Sequence, residues 1–290
     1  MARELSNMVV VITGASAGIG RALAVALSKE GARLVLSARR TDRLEELNAS
    51  LGGAHLCVKT DVAREEDCHA LIESAINQFG RIDTLVCNAG YGILRAVSET
   101  SSREMQDIFQ TNVFGTTDCI RAAVPLIRKQ QTQNGWRGQI MIVSSAAGRR
   151  GIPFFGAYSA TKFAQLGLAE ALRIELRPWR IAVTSVHPIG TKTDFFSTAE
   201  RGSNIKMPPS REFRQSAATV AQKMVAAIRR PKPEVWPLAI SRLGLGFAAL
   251  MPRLTDHFLA RFSREFIEGP AASTSQVKID ADNRARSQPI

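Results

Sequence analysis

Three observations predict an α/β fold with one doubly wound parallel sheet of about seven strands. Apolar runs alternate with helical patterns, a glycine-rich turn joins the first run to the first helix, and the runs lack the alternation of a half-wet strand. The runs cover 8–12, 33–38, 54–58, 82–87, 139–143 and 181–186, with a seventh candidate at 234–240. Met8-Val9-Val10-Val11-Ile12 is uniformly apolar, as a strand covered on both faces needs to be. At 290 residues the chain is long enough for a single domain with a substantial core. Residues 1–230 are expected to form that domain and 231–269 an apolar and basic extension of it. Residues 270–290 lack periodicity and are expected to be disordered.

The first run leads directly into Thr13-Gly14-Ala15-Ser16-Ala17-Gly18-Ile19-Gly20, and a helical pattern then runs from Arg21 to Lys29. Strand, glycine-rich turn and helix in that order make a Rossmann-like dinucleotide fingerprint. Gly14 allows the tight turn, Gly18 lets backbone amides approach a pyrophosphate, and Gly20 lets the helix pack close to the sheet. Ser16, Ala17 and Ile19 belong to the same phosphate-binding turn. The second strand ends at Ala38, eighteen residues after Gly20, where an Asp or Glu would bind the ribose hydroxyls of NAD. Arg39 and Arg40 follow instead. A guanidinium fork suits a 2′-phosphate, so the expected cofactor is NADP(H). Asp42, with Glu45 three places on, reads as a capping box for the next helix.

Tyr158 and Lys162 stand four residues apart, thirteen residues after Ser145. On a helix, positions i and i+4 share a face and bring an ammonium beside a phenol. A free phenol titrates near 10, too high for good proton transfer at neutral pH. One positive charge about 4 Å away, at an effective dielectric of about 20, is worth roughly 4 kcal/mol and would lower the phenol by about two to three units.

Thr-Gly-x-x-x-Gly-x-Gly, Asn88-Ala89-Gly90 after a later strand, and the Ser145, Tyr158 and Lys162 set together resemble the classical group of the short-chain dehydrogenase/reductase family. The resemblance spans about residues 5 to 195. It implies that Ser145 polarises the substrate oxygen, that Tyr158 is the general acid/base, and that Lys162 tunes Tyr158 and binds the nicotinamide ribose. It further implies that Asn112 fixes a water in a proton relay behind Lys162. Asp61 and Val62 would contact the adenine; Asn88, Ala89 and Gly90 would flank the cofactor. Pro188 and Thr193 would sit by the nicotinamide, although Ile189 stands where the family usually has glycine. The implied function is NADP(H)-dependent interconversion of a primary or secondary alcohol and a carbonyl on an apolar, lipid-, steroid- or retinoid-like substrate. The alternative is a non-catalytic NADP(H)-binding regulator on the same scaffold. The resemblance also implies a homodimer or homotetramer, paired through helices at about 101–130 and 157–177.

Four cysteines, at 57, 68, 87 and 119, show no zinc spacing, so no metal is expected, and a reducing cytoplasm suits them. No leader is read ahead of the first strand. The formal charge of +12 would suit nucleic acid, but no nucleic-acid motif accompanies it and none is expected as a partner. Residues 190–215, rich in Gly, Ser, Pro and charge, read as a lid over the substrate site. The apolar stretch at 243–252 falls short of the roughly 20 residues of a spanning helix. With its flanking arginines, 235–266 has three open readings: packing on its own subunit, covering a neighbour, or peripheral contact with an anionic membrane. Each implies apolar surroundings for the site.

Overall fold

The computed structural model describes residues 2–201, 203, 205, 215–261 and 263. Strand β1 (Val9–Thr13) passes through the glycine turn into α1 (Gly18–Ser28), and β2 (Arg33–Ala38), α2 (Thr41–Ser50), β3 (Leu56–Lys59) and α3 (Glu65–Phe79) complete the first half. Next come β4 (Thr84–Cys87), α4 (Ser102–Phe109), a π-helical turn at Gln110–Phe114 and α5 (Gly115–Lys129). β5 (Gly138–Val143), α6 (Gly156–Glu175) and β6 (Ile181–Val186) follow. The short elements β7 (Thr191–Lys192), α7 (Phe195–Ala199) and β8 (Gln215–Ser216) precede α8 (Ala217–Arg229), β9 (Glu234–Val235) and α9 (Ala239–Leu250).

The main sheet runs β3-β2-β1-β4-β5-β6-β9, with every pairing parallel. One core packs α1, α2 and α8 on one face, through Leu23, Leu27, Leu44 and Met224. The other packs α3, α5 and α6 on the opposite face, through Leu71, Ile72, Ile127 and Ala169. Strand order reverses between β1 and β4, and the crevice beyond the carboxyl ends of those strands is where this architecture takes ligands. Thr13 ties the two strands together there. Its hydroxyl donates to the Val86 carbonyl at 3.3 Å and accepts from the backbone amides of Asn88 and Ala89, each at 3.0 Å.

Three local expectations need correction. The seventh strand has only two residues, Glu234 and Val235, rather than 234–240. Pro237 brings no N–H to extend a ladder, and a helix starts at Ala239. The helix expected over about 101–130 is interrupted by the π turn at Gln110–Phe114. Finally, Asp42 caps nothing: α2 begins at Thr41 with Arg40 as N-cap and no side-chain cap bond, so Asp42 lies in the first turn. There its charge complements the helix dipole instead. The tail at 270–290 lies outside the described residues, as does part of the lid read over 190–215.

At the amino ends of the strands, the buried Arg3 guanidinium donates to the Asp83 carbonyl at 2.8 Å and to Gln139 Oε1 at 2.9 Å. Its backbone N–H bonds the Arg229 carbonyl at 2.7 Å, so one residue joins β4, β5 and α8. Replacing Arg3 with Met leaves Gln139 Oε1 without its guanidinium donor and the Asp83 carbonyl with only the Gln139 amide, and should cost about 1–3 kcal/mol in urea unfolding, with the slope unchanged.

Candidate active site

At the switch point the glycine turn is shaped by contacts that exclude side chains. Gly14 has φ +68°, and a Cβ there would lie 2.9 Å from the Ala89 Cα. A Cβ on Gly20 would lie 2.4 Å from the Gly14 carbonyl oxygen. The N-cap of α1 is Ala17, which offers no side-chain acceptor, and the first turn contains no acid. Its leading N–H groups, those of Gly18, Ile19 and Gly20, therefore suit an external anion such as a pyrophosphate. The Thr193 methyl would stand 3.1 Å from a Cβ on Gly18, so the loop after β6 closes over the turn. Ser16 Oγ accepts from Arg40 at 3.2 Å, which brings the end of β2 against the same turn.

Other cofactor candidates are placed around this crevice by the backbone. Asn88 Nδ2 donates to the carbonyls of Thr13 at 2.9 Å and Gly14 at 3.2 Å, which fixes the turn. A Cβ on Gly90 would meet Asn112 Oδ1 at 2.9 Å, so the chain passes close to the π turn there. Asp61 Oδ1 accepts from the Ala63 amide at 3.1 Å, and Val62 packs against Gly115 at the start of α5. The Pro188 carbonyl accepts from the Ala146 amide at 2.9 Å, which holds the β6 loop beside Ser145. Ile189 uses its own carbonyl to accept from Thr191 Oγ1 at 2.8 Å.

Ser145 lies just beyond β5. Its Oγ accepts from the Ala147 amide at 3.1 Å and hydrogen-bonds the Tyr158 phenol. Tyr158 stands in the first turn of α6, with its ring 5.1 Å from that of Phe195 and 6.2 Å from that of Phe155. Lys162, one turn further on, is buried. Its Nζ donates to the Val143 carbonyl at 2.9 Å and to Gln165 Oε1 at 2.8 Å. The same Nζ lies 5.5 Å from the centroid of the Tyr158 ring.

The ionisation of this pair differs from the sequence-based expectation. Desolvation among aromatic rings pushes the Tyr158 phenol up to about 12, and the Ser145 hydrogen bond only partly opposes it. Burial brings Lys162 down to about 7. The lysine was expected to lower the phenol; in the protein alone burial dominates both groups. A partly deprotonated ammonium, aimed at a carbonyl and an amide, adds little positive charge at the phenol.

Asn112 sits in the π turn and is buried. Its Oδ1 accepts from the Tyr91 amide at 3.0 Å, and its Nδ2 donates to the Tyr91 carbonyl at 2.9 Å and to Thr161 Oγ1 at 3.0 Å. Its carbonyl oxygen faces Lys162 only through Gln165, whose Nε2 donates to it at 2.6 Å. The sequence reading missed Gln165. The available signal was a polar side chain one turn after Lys162 on the same helix face. It also missed Phe195 and Phe196, which with Leu94, Phe155 and Ile152 build the apolar cluster around Tyr158. No local pattern marks those two, because a loop brings them in.

The sequence and the fold are similar to those of known proteins. A profile described as short chain dehydrogenase matches residues 8–204. An "uncharacterized oxidoreductase YxnA" of Bacillus subtilis is 34% identical over 268 residues, 89% of this chain and 73% of that protein. An "11-beta-hydroxysteroid dehydrogenase-like 4A" of Arabidopsis thaliana is 33% identical over 87% of this chain and 83% of its own length. Among solved structures, a short-chain dehydrogenase/reductase from Burkholderia phymatum in complex with NAD superposes with a TM-score of 0.76. It is 25% identical and covers 87% of this chain and 96% of that one. An alcohol dehydrogenase from the archaeon Thermococcus sibiricus, complexed with 5-hydroxy-NADP, gives 0.69 at 27% identity, over 79% of this chain and 95% of that one. The chain belongs to the short-chain dehydrogenase/reductase family, and it is an oxidoreductase of that family with a nucleotide-binding Rossmann-like fold.

The depressed Lys162 ionisation sets a pH dependence of stability. Below about 7 both folded and unfolded states hold the proton, and folding bears the full cost of burying the ammonium. Between about 7 and the unfolded value of 10.5 the unfolded chain binds more protons, so raising the pH through that window favours the folded state. Lys162→Met removes the titration. Comparing melting temperatures of the two proteins from pH about 6 to 10, the advantage of the variant should be largest at the acid end and shrink as pH rises.

Proposed function

We propose that this protein is an NADP(H)-dependent oxidoreductase that interconverts an alcohol and a carbonyl on an apolar substrate, with Tyr158 as general acid/base. The observation that carries this reading is the convergence of Ser145, Tyr158 and Lys162 under an aromatic cover at the mouth of the dinucleotide crevice. The bound cofactor would supply hydride at nicotinamide C4. The Ser145 hydroxyl holds the substrate oxygen, and the Tyr158 phenol gives that oxygen a proton in reduction or takes one in oxidation. Lys162, buried beside them, is assigned as a donor for the nicotinamide ribose. Leu94, Phe155, Phe195 and Phe196 exclude water and select apolar substrates. A regulator that only bound NADP(H) would need none of the Ser145, Tyr158 and Lys162 set.

The preference for NADP(H) rests on Arg39 and Arg40 at the end of β2, with no carboxylate at Ala38 and with Arg40 bonded to Ser16 of the phosphate turn. Pro188 and Thr193 are assigned to the nicotinamide side, Asp61 and Val62 to the adenine side. Outside the cleft, α9 buries only Ala248, while Leu238, Ile240, Leu243, Phe247, Leu250 and Met251 are exposed beside Arg242 and Arg253. No helix among the described residues is long and apolar enough to cross a membrane. We assign this face to peripheral contact with an anionic membrane, with a second copy of the chain as the competing occupant.

Purified protein should oxidise NADPH in the presence of apolar ketones or aldehydes, and Tyr158→Phe should bind NADPH while losing most turnover. Survival of turnover in that variant overturns the role of Tyr158. Arg39→Ala should raise KM for NADPH about tenfold or more, the equivalent of one charge-assisted contact, and leave NADH nearly untouched. Equal changes for the two cofactors contradict the assignment. Co-sedimentation with phosphatidylserine vesicles should be lost in Leu243→Glu/Phe247→Glu. If that double variant instead turns a dimer into a monomer with no vesicle binding by the parent, the face is a subunit contact.

A further inference from the structure

Gln165 fills the space behind Lys162 and saturates the groups on both sides of it. The Asn112 carbonyl oxygen accepts from Gln165 Nε2 at 2.6 Å and from Thr116 Oγ1 at 2.8 Å. A carbonyl oxygen has two lone pairs, so both are taken by side chains of this chain. The Asn112 side chain spends both Nδ2 donors on the Tyr91 carbonyl and Thr161, and its Oδ1 accepts from the Tyr91 amide. Gln165 itself is fully buried, and its Oε1 accepts from Lys162 Nζ at 2.8 Å. The water that the family resemblance places between Asn112 and Lys162 therefore finds both lone pairs of the Asn112 main-chain carbonyl already taken.

We propose that Gln165 is a positioning residue that takes the place of a relay water, holds the Lys162 ammonium against the Val143 carbonyl, and closes the proton route behind it. The proposal rests on the oxidoreductase reading above. In reduction, a hydride from the reduced nicotinamide carries two electrons to the carbonyl carbon, and Tyr158 gives its proton to the oxygen. The products are the alcohol, the oxidised nicotinamide and a phenolate, which must regain one proton from solvent. Water can pass that proton because one atom both donates and accepts. In an amide the nitrogen donates and the oxygen accepts, and no proton crosses between them without forming an imidic acid. Reprotonation is thereby directed to the substrate side of Tyr158.

The groups facing the ammonium are few. Its own helix presents the Tyr158 phenol and the Gln165 amide; β5 presents the Val143 carbonyl. The loop after β4 brings the Gly90 backbone close, where a Cβ would lie 3.8 Å from Nζ, and the π turn presents Asn112 through Gln165. No charged side chain adds to burial in setting its ionisation. Gln165 is thus the neighbour whose chemistry most directly tunes it.

The test compares Gln165→Met, which keeps length and loses the acceptor, with Gln165→Glu, which keeps the acceptor and adds charge. Carbon-labelled lysine NMR, with the Lys162 signal assigned through Lys162→Arg, reads the titration without any turnover. The Lys162 midpoint should fall in Gln165→Met and rise in Gln165→Glu, each by about one unit or more. The alkaline limb of kcat for carbonyl reduction should move the same two ways, with KM for the carbonyl unchanged. Midpoints that stay put, or that move together, overturn the proposal. If Gln165→Met does not fold, the rise in Gln165→Glu alone decides. If the parent protein turns over no carbonyl, the oxidoreductase reading fails, while the NMR titration still decides the role of Gln165.

Discussion

The site depends on the burial of one ammonium, that of Lys162, among neutral partners. A carbonyl from β5 and an amide from its own helix satisfy two of its donors, and no carboxylate compensates its charge. Such an arrangement costs stability, since desolvation penalises the charged form. It survives because the two halves of the sheet and the helices on either face are independently well packed. The surrounding elements are arranged around that pocket. The π turn places Asn112, the first turns of α6 place Tyr158, and the end of β5 places Ser145.

Burial also explains why the protein by itself rests away from its reactive ionisation. Phe155 and Phe195 enclose the phenol and raise it, while the lysine that should lower it is itself driven toward neutrality. The aromatic cover thus sets the proton affinity of the Tyr158 phenol. An oxidised nicotinamide ring bound beside the pair would supply positive charge that the pair lacks and would couple the Tyr158 ionisation to cofactor occupancy.

The fold was largely legible because its signals are local. Uniform apolar runs such as Met8 to Ile12 need cover on both faces, and a glycine turn between strand and helix has few other uses. The sheet positions of Ser145 and Asn88 followed from the strands they terminate. What escaped were features set by tertiary context. The seventh strand was overextended because Pro237 ends it and only Ser185 and Val186 pair with it. Asp42 forms no capping box because α2 starts two residues earlier than that box requires. The i, i+4 spacing of Tyr158 and Lys162 carries no information on where Nζ points or how dry the site is. Gln165 and Phe195 reach the site by a helix face and a loop whose position the sequence does not encode locally.

The most direct measurement is the titration of Tyr158 itself, since Tyr91 is the only other tyrosine in the chain. Carbon-labelled tyrosine NMR on the free protein, with Tyr91→Phe to assign the signal, should place the Tyr158 phenol above the ordinary phenol value of about 10. Addition of NADP+ should bring it down. A midpoint below about 10 in the free protein, or one indifferent to NADP+, would contradict the account in which burial sets this site and the cofactor activates it.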